Sequence, residues 1–160
     1  RADEVVKLFD HMVLNGDIAN NLSATGLVTN AFLYTGDEKY RKWVLDYVEA
    51  WMDRVKQNNG IIMLSFVPDF VRKSPHSKAT LTDVADHFDY VKDLIGVDHI
   101  GVGADFDGIS RGPQGLEDVS KYPQLFAELL RRGWTEEELA KVAGGNLLRV
   151  LVANEVNASL

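Results

Sequence analysis

The sequence predicts an α/β fold preceded by an all-helical segment, and three observations carry that expectation. Ile61 to Val67 (IIMLSFV) and Ile100 to Ala104 (IGVGA) are short apolar runs with β-branched residues, the composition of buried parallel strands. Between them, Thr80-Leu-Thr-Asp83 has the outline of a capping box with Asp in place of Glu, and it opens a pattern in which Leu81, Val84, Phe88, Val91 and Ile95 recur at helical spacing. Upstream of the first run the apolar spacing is helical throughout. Strand, crossover helix, strand makes one βαβ unit, and such crossovers are right-handed in nearly all folds.

Each element has a local signal. From Asp3 to Leu14 the residues Val5, Leu8, Phe9 and Met12 keep helical spacing, and Asn15-Gly16-Asp17 supplies a stop. A second helical pattern runs from Ile18 to Tyr34, with Gly26 inside it, and ends at Thr35-Gly36-Asp37. The third, Glu38 to Lys56, sets Tyr40, Trp43, Tyr47, Trp51 and Val55 on one broad face; an aromatic stripe of this kind is expected to be core. Asn58-Asn59-Gly60 ends that helix, and Pro68 closes the first strand. Arg72 to Ala79 reads as a loop, Gly96 stops the crossover helix, and a long loop runs from Ile109 to Val119. Tyr122 to Arg132 is helical, Gly133 breaks it, and Thr135-x-x-Glu138 is a full capping box for a last helix expected to run to about Val152.

Composition narrows the function classes. With 46% apolar and 26% charged residues the chain has the make-up of a soluble globular protein. A formal charge of −7 with no basic stripe argues against nucleic acid or an anionic membrane surface as partner. There are no cysteines, which excludes disulfides and thiolate metal sites, and no stretch approaches eighteen consecutive apolar residues.

The strongest site candidate is Asp105, the first polar residue of IGVGADFDG (100–108) after its apolar run. The carboxyl ends of parallel strands are where α/β folds bind ligands. The plainer reading is that Asp105 and Asp107 only form a turn, because Asp-x-Asp-Gly is common turn chemistry. The four histidines, His11, His76, His87 and His99, stand apart in the sequence without an HxH, HxD or HExxH pattern, so no metal ligand is assigned.

Residues 55 to about 151 resemble the C-terminal part of the renal-type (membrane) dipeptidases, zinc peptidases with an amidohydrolase-like TIM barrel. The resemblance is carried by VKQNNGIIMLSFVPDFV (55–71), TLTDVADHFDYVKDLIGVDHIGVGADFDG (80–108) and GLEDVSKYPQLFAELLRRGWTEEELAKVAGGNLLRVL (115–151). It implies that Ile61–Val67 and Ile100–Ala104 are the last two strands of the barrel, so that 55–160 forms its last two β/α units. It further implies dipeptide hydrolysis, with Asp105 contacting the substrate and shuttling a proton. The zinc ligands of that family lie on earlier strands, a His-x-Asp pair on the first and then a bridging Glu and two His, and no such segments occur here. Zinc is therefore expected for the family and not for this chain by itself. Asp107 is read as fixing the following turn, Glu117 and Asp118 as loop and cap residues, and Asn146 with Arg149 as ties from the last helix to the base of the barrel.

Residues 1–54 depart from that pattern. Where a dipeptidase shows its sixth-strand His and an HPRN-like loop with a substrate-binding arginine, this chain has LYTGDEKYRKWVLDYVEAWMDR, which resembles a helical hairpin of α/α-toroid proteins. Two patterns meet near Asp53-Arg54-Val55, so the chain reads as a chimera. Two strands cannot close a barrel, and their open edges are expected to associate with a second copy or to be covered by the aromatic face around Trp43, Tyr47 and Trp51. Two alternatives follow: an inactive chimeric or truncated scaffold piece, or a haloacid-dehalogenase-type phosphatase, which the motif also resembles, with Asp105 as nucleophile, Asp107 as acid/base and magnesium.

Overall fold

The computed structural model describes residues 23–72 and 78–158. The helix expected over Asp3–Leu14, and with it His11, lies outside the described residues, as does His76. The chain divides into two compact units between Trp51 and Met52.

The first unit contains helix α1 (Ser23–Thr35) and most of α2 (Glu38–Gln57), whose final turns belong to the second unit. Gly26 does not interrupt α1. The turn between the helices needs a left-handed residue, and Gly36 supplies it at φ 67°. Asp37 then caps α2 by accepting from Lys39 N at 3.1 Å. On α2, Trp43 and Tyr47 stand one turn apart and stack with ring centroids 5.1 Å apart.

The second unit is built on two short parallel strands, β1 (Ile62–Leu64) and β2 (Ile100–Val102), paired Ile62 to Ile100, Met63 to Gly101 and Leu64 to Val102. Pairing runs on past these limits, since Gly103 N donates to Leu64 O at 3.0 Å and Phe66 N to Ala104 O at 3.3 Å. The alternation in IGVGA explains itself in this register. Ile100 and Ala104 enter the core, while Gly101 and Gly103 leave room for Met63; a Cβ at Gly103 would come within 2.7 Å of the Met63 Cβ. The expectation of a buried first strand needs correction, because Met63 is 43% exposed. Among the described residues β1 has a neighbour on one edge only.

A one-turn helix, α3 (Pro68–Val71), follows β1 where only a strand end was expected. Pro68 sits in its first turn, where the missing N–H costs nothing. The crossover helix α4 (Leu81–Ile95) starts at a reciprocal capping box: Thr80 accepts from Asp83 N, and the Asp83 carboxylate accepts from Thr80 N at 2.8 Å. Asp confirms its place as a stand-in for Glu. Val84, Phe88, Val91 and Ile95 form the buried face of α4. It packs on α5 (Tyr122–Arg131), which contributes Leu125 and Leu129, and Phe88 meets Trp134 edge to face at 6.4 Å.

The last helix is not continuous. It comprises α6 (Glu136–Ala140), a π-type turn over Lys141–Gly145 with non-helical backbone at Gly144, and α7 (Asn146–Ala158). Two adjacent glycines give this segment the least resistance to leaving helical geometry. The capping box at Thr135 and Glu138 is present as expected.

Candidate functional site at the carboxyl ends of the strands

The two ends of the sheet differ in chemistry. At the amino end Asn146, Arg149 and His99 bond to the backbone. Asn146, 3% exposed, donates from Nδ2 to Val97 O and Ile100 O, both at 2.8 Å. Arg149 donates to Asn59 O at 2.6 Å and Asp98 O at 2.7 Å. His99 Nδ1 lies 2.9 Å from Gly60 O, a carbonyl that only accepts, so Nδ1 carries the proton. These contacts tie α7 to the strands, the role expected for Asn146 and Arg149.

At the carboxyl end two carboxylates stand unengaged among the described residues. The backbone of Asp105 is left-handed at φ 63°, uncommon for a residue with a side chain, and its carbonyl accepts from Gly108 N at 2.9 Å. Asp105 therefore does form the turn, but with its main chain. Asp105 and Asp107 are exposed, and neither carboxylate has a hydrogen-bond or ion-pair partner among the described residues. That corrects the expectation that the Asp107 side chain fixes the turn. Phe106 does the anchoring: it lies edge-on to Phe66 at 5.9 Å and beside Tyr122, also at 5.9 Å. Burial of the middle ring leaves the two flanking carboxylates in solvent. Gly108 leaves the Asp105 carboxylate its place, since a Cβ there would come 2.9 Å from Cγ and push the carboxylate aside.

The loop that follows is held by backbone contacts. Gln114 N donates to Ala79 O at 2.7 Å and Leu81 N to Gln114 O at 2.9 Å, and Pro113 and Leu116 are fully buried. Glu117 accepts from Gly115 N at 2.7 Å, which holds its carboxyl below the usual range. Asp118 accepts from Ser120 N at 2.8 Å, and its hydrogen bonding with Ser120 lowers it likewise. Both are loop and cap residues, as the sequence suggests. Between the two strand ends lies an open depression of about 340 Å³, lined by Val67 to Asp69 and Gly108 to Arg111. Nothing in the sequence pattern joins those two segments.

The described residues do not fit a metal centre. Among them no three His, Cys, Asp or Glu side chains converge. His99 sits at the opposite end of β2 from Asp105, and His87 Nε2 lies 3.1 Å from Val71 O.

Residues 47–160 match a family model described as membrane dipeptidase (peptidase family M19), and residues 1–74 match one described as a domain of unknown function (DUF8034). Over 100 residues the chain is 53% identical to dipeptidase aclJ of Aspergillus oryzae, covering 62% of this chain and 24% of the relative. It is 52% identical to dipeptidase tcpJ of Claviceps purpurea over 100 residues, 62% of this chain and 23% of that protein. The chain thus spans about a quarter of the length of these relatives. Among solved structures it resembles a metallopeptidase of Rhodobacter sphaeroides liganded with a phosphinate mimic of the dipeptide L-Ala-D-Ala, with a TM-score of 0.57 and 30% identity, covering 62% of this chain and 28% of that one.

Proposed function

The chain belongs to the membrane dipeptidase family, peptidase family M19, and from that footing we propose that its second unit is the last two β/α units of a TIM-type barrel that hydrolyses small dipeptides. The observation that carries the site assignment is Asp105: a left-handed residue at a strand's carboxyl end, with an unengaged carboxylate and a glycine three residues on that gives it room. In the proposed reaction water attacks the peptide carbonyl carbon and the C–N bond breaks. Asp105 takes a proton from the attacking water and delivers it to the leaving nitrogen. Family membership implies a metal cofactor, which we take to be zinc. Among the described residues no three ligating side chains converge to hold it. The complete centre is assigned to barrel strands other than these two, and residues 1–54 to a helical segment joined to them as a chimera.

The test is hydrolysis of L-Ala-L-Ala in added zinc by this chain mixed with the complementary strands of a family dipeptidase. Activity that needs both parts, and that falls about a hundredfold or more in Asp105→Asn, is the expected result. Activity indifferent to Asp105→Asn would remove the assignment. Magnesium-dependent phosphatase activity lost in the same variant would favour the dehalogenase-type alternative, and inactivity of the complemented mixture the scaffold reading.

A further inference from the structure

Three aromatic rings from three separate segments meet beside the Asp105 turn. Phe66, two residues beyond β1, is fully buried; Phe106 follows Asp105 directly; and Tyr122 is the first residue of α5. Phe66 and Phe106 stand edge to face with centroids 5.9 Å apart, and Phe106 and Tyr122 lie 5.9 Å apart with their planes tilted by 31°. Phe66 and Tyr122 close the triangle edge to face at 6.2 Å. Every pair lies within the range at which aromatic rings attract.

Two of the three rings are fixed independently of the turn. Phe66 N donates to Ala104 O at 3.3 Å, which carries the strand pairing up to the residue before Asp105. Tyr122 N donates to Val119 O, closing a tight turn that Asp118 caps by accepting from Ser120 N at 2.8 Å. Pro123 follows in the first turn of α5, and the fully buried Leu125 anchors that helix in the core. Phe106 alone is carried by the turn. With the chain pinned at Ala104, the first rotation after it is about the Asp105 φ bond. Turning that bond from 63° to the negative values of most residues swings everything downstream, and the Phe106 ring leaves its place against Phe66 and Tyr122. The ring's place and the left-handed backbone come together.

Magnitudes decide how many rings this takes. A left-handed L-residue is disfavoured by roughly fivefold or more, Asp somewhat less than others. One aromatic pair favours its arrangement by roughly two- to twelvefold. A single pair therefore only balances the cost, whereas the two that Phe106 makes exceed it together. We propose that Tyr122 is a positioning residue for Asp105: with Phe66 it clamps the Phe106 ring, and through that ring it holds the Asp105 backbone in the left-handed turn. The consequence for hydrolysis rests on the Asp105 reading above; the clamp itself does not.

The test follows the backbone of Asp105 by NMR in the full chain, using the strong intraresidue Hα–HN contact that marks a positive φ. In Tyr122→Leu, which removes the ring and keeps an apolar side chain, that contact is expected to weaken toward an average, and the Gly108 amide to exchange with solvent about fivefold faster, the scale of one lost ring pair. Tyr122→Phe, which keeps the ring, is expected to restore both signals. Val91→Ala takes volume from the same core on α4, and it is expected to lower stability while leaving Asp105 as it is. In the complemented mixture with L-Ala-L-Ala, Tyr122→Leu is expected to lower kcat about fivefold or more with KM changed less than about twofold. An Asp105 signal unchanged in Tyr122→Leu, a Tyr122→Phe variant no better than Tyr122→Leu, or an equal disturbance in Val91→Ala overturns the proposal. Those outcomes leave the Asp105→Asn hydrolysis test standing. Conversely, a turn that loosens in Tyr122→Leu and recovers in Tyr122→Phe, beside hydrolysis indifferent to Asp105→Asn, would keep the clamp and remove the catalytic reading.

Discussion

Asp105 holds a backbone conformation that glycine would hold at lower cost. An L-residue at φ 63° is disfavoured by contact between its Cβ and the neighbouring carbonyl, less so for Asp and Asn than for others. Asp105→Gly is therefore expected to raise stability by about 0.5–1 kcal/mol in urea denaturation, while removing the carboxylate on which the proposed chemistry depends. Asp105→Val is expected to lose about 1–2 kcal/mol, because β-branching is least compatible with this region. A left-handed residue whose removal stabilises the fold is one kept for its side chain. Gly108→Ala tests the same geometry from the other side. The added methyl must displace the Asp105 carboxylate, so it is expected to lower dipeptide turnover in the complemented enzyme while changing stability by less than about 1 kcal/mol, since the turn is exposed.

At the level of elements, the join between α4 and α5 turns on Arg132. It donates to Glu128 at 2.8 Å, Asp86 at 2.7 Å and Asp89 at 2.6 Å, and Asp89 in turn accepts from Trp134 Nε1 at 2.7 Å. Hydrogen bonds from Arg131 and Arg132 hold the Glu128 carboxyl down to about 2 from an ordinary 4.5. A carboxyl lowered in the folded state stabilises the fold at pH above its ordinary value, and that contribution is lost as pH falls from about 4.5 toward 2. The stability gap between the parent chain and Glu128→Gln is thus expected to be full at pH 6, to narrow by pH 3 and to close only near pH 2, read by urea denaturation across that range. The second join is Asn146. Asn146→Ala removes the side-chain donor from the buried Ile100 carbonyl and from Val97 O, which keeps the Ile100 N–H, an expected loss of about 1–3 kcal/mol measured the same way. Asn146→Asp is expected to cost more, because a carboxylate would face two carbonyl oxygens.

At the scale of the molecule, two features set the expected behaviour in solution. Among the described residues each strand of the sheet is paired on one edge only, and unpaired edges template further pairing. We expect the purified chain to associate in a concentration-dependent way or to unfold at modest temperature, checked by sedimentation and calorimetry; a sharp monomeric transition at high temperature would overturn this. The second feature is metal. Tight zinc sites need three or four converging ligands in a prepared shell. We expect no stoichiometric zinc in the dialysed chain by elemental analysis and no dipeptide hydrolysis above background without complementation. One zinc per chain retained against a mild chelator would mean that a site is assembled from residues read here as structural.

What the sequence determined by itself is what short-range physics decides. The capping boxes at Thr80 and Thr135, the length of α2, the stop at Gly96 and the place of Asp105 at a strand end all follow from signals within a few residues of each other. The family likewise was legible, because a long ordered resemblance runs through the second unit. Only the tertiary structure decided the rest. The break of the last helix at Gly144-Gly145 wins over its helical periodicity because it allows Asn146 to reach carbonyls 46 and 49 residues away. Arg132 finds partners 43 and 46 residues upstream, which no local pattern announces. Asp69 and Arg111 come to line one depression because parallel pairing of β1 with β2 sets their carboxyl ends side by side. Parallel strands lie far apart in the chain, so what meets at their ends is fixed by pairing register and crossover, not by spacing in the sequence.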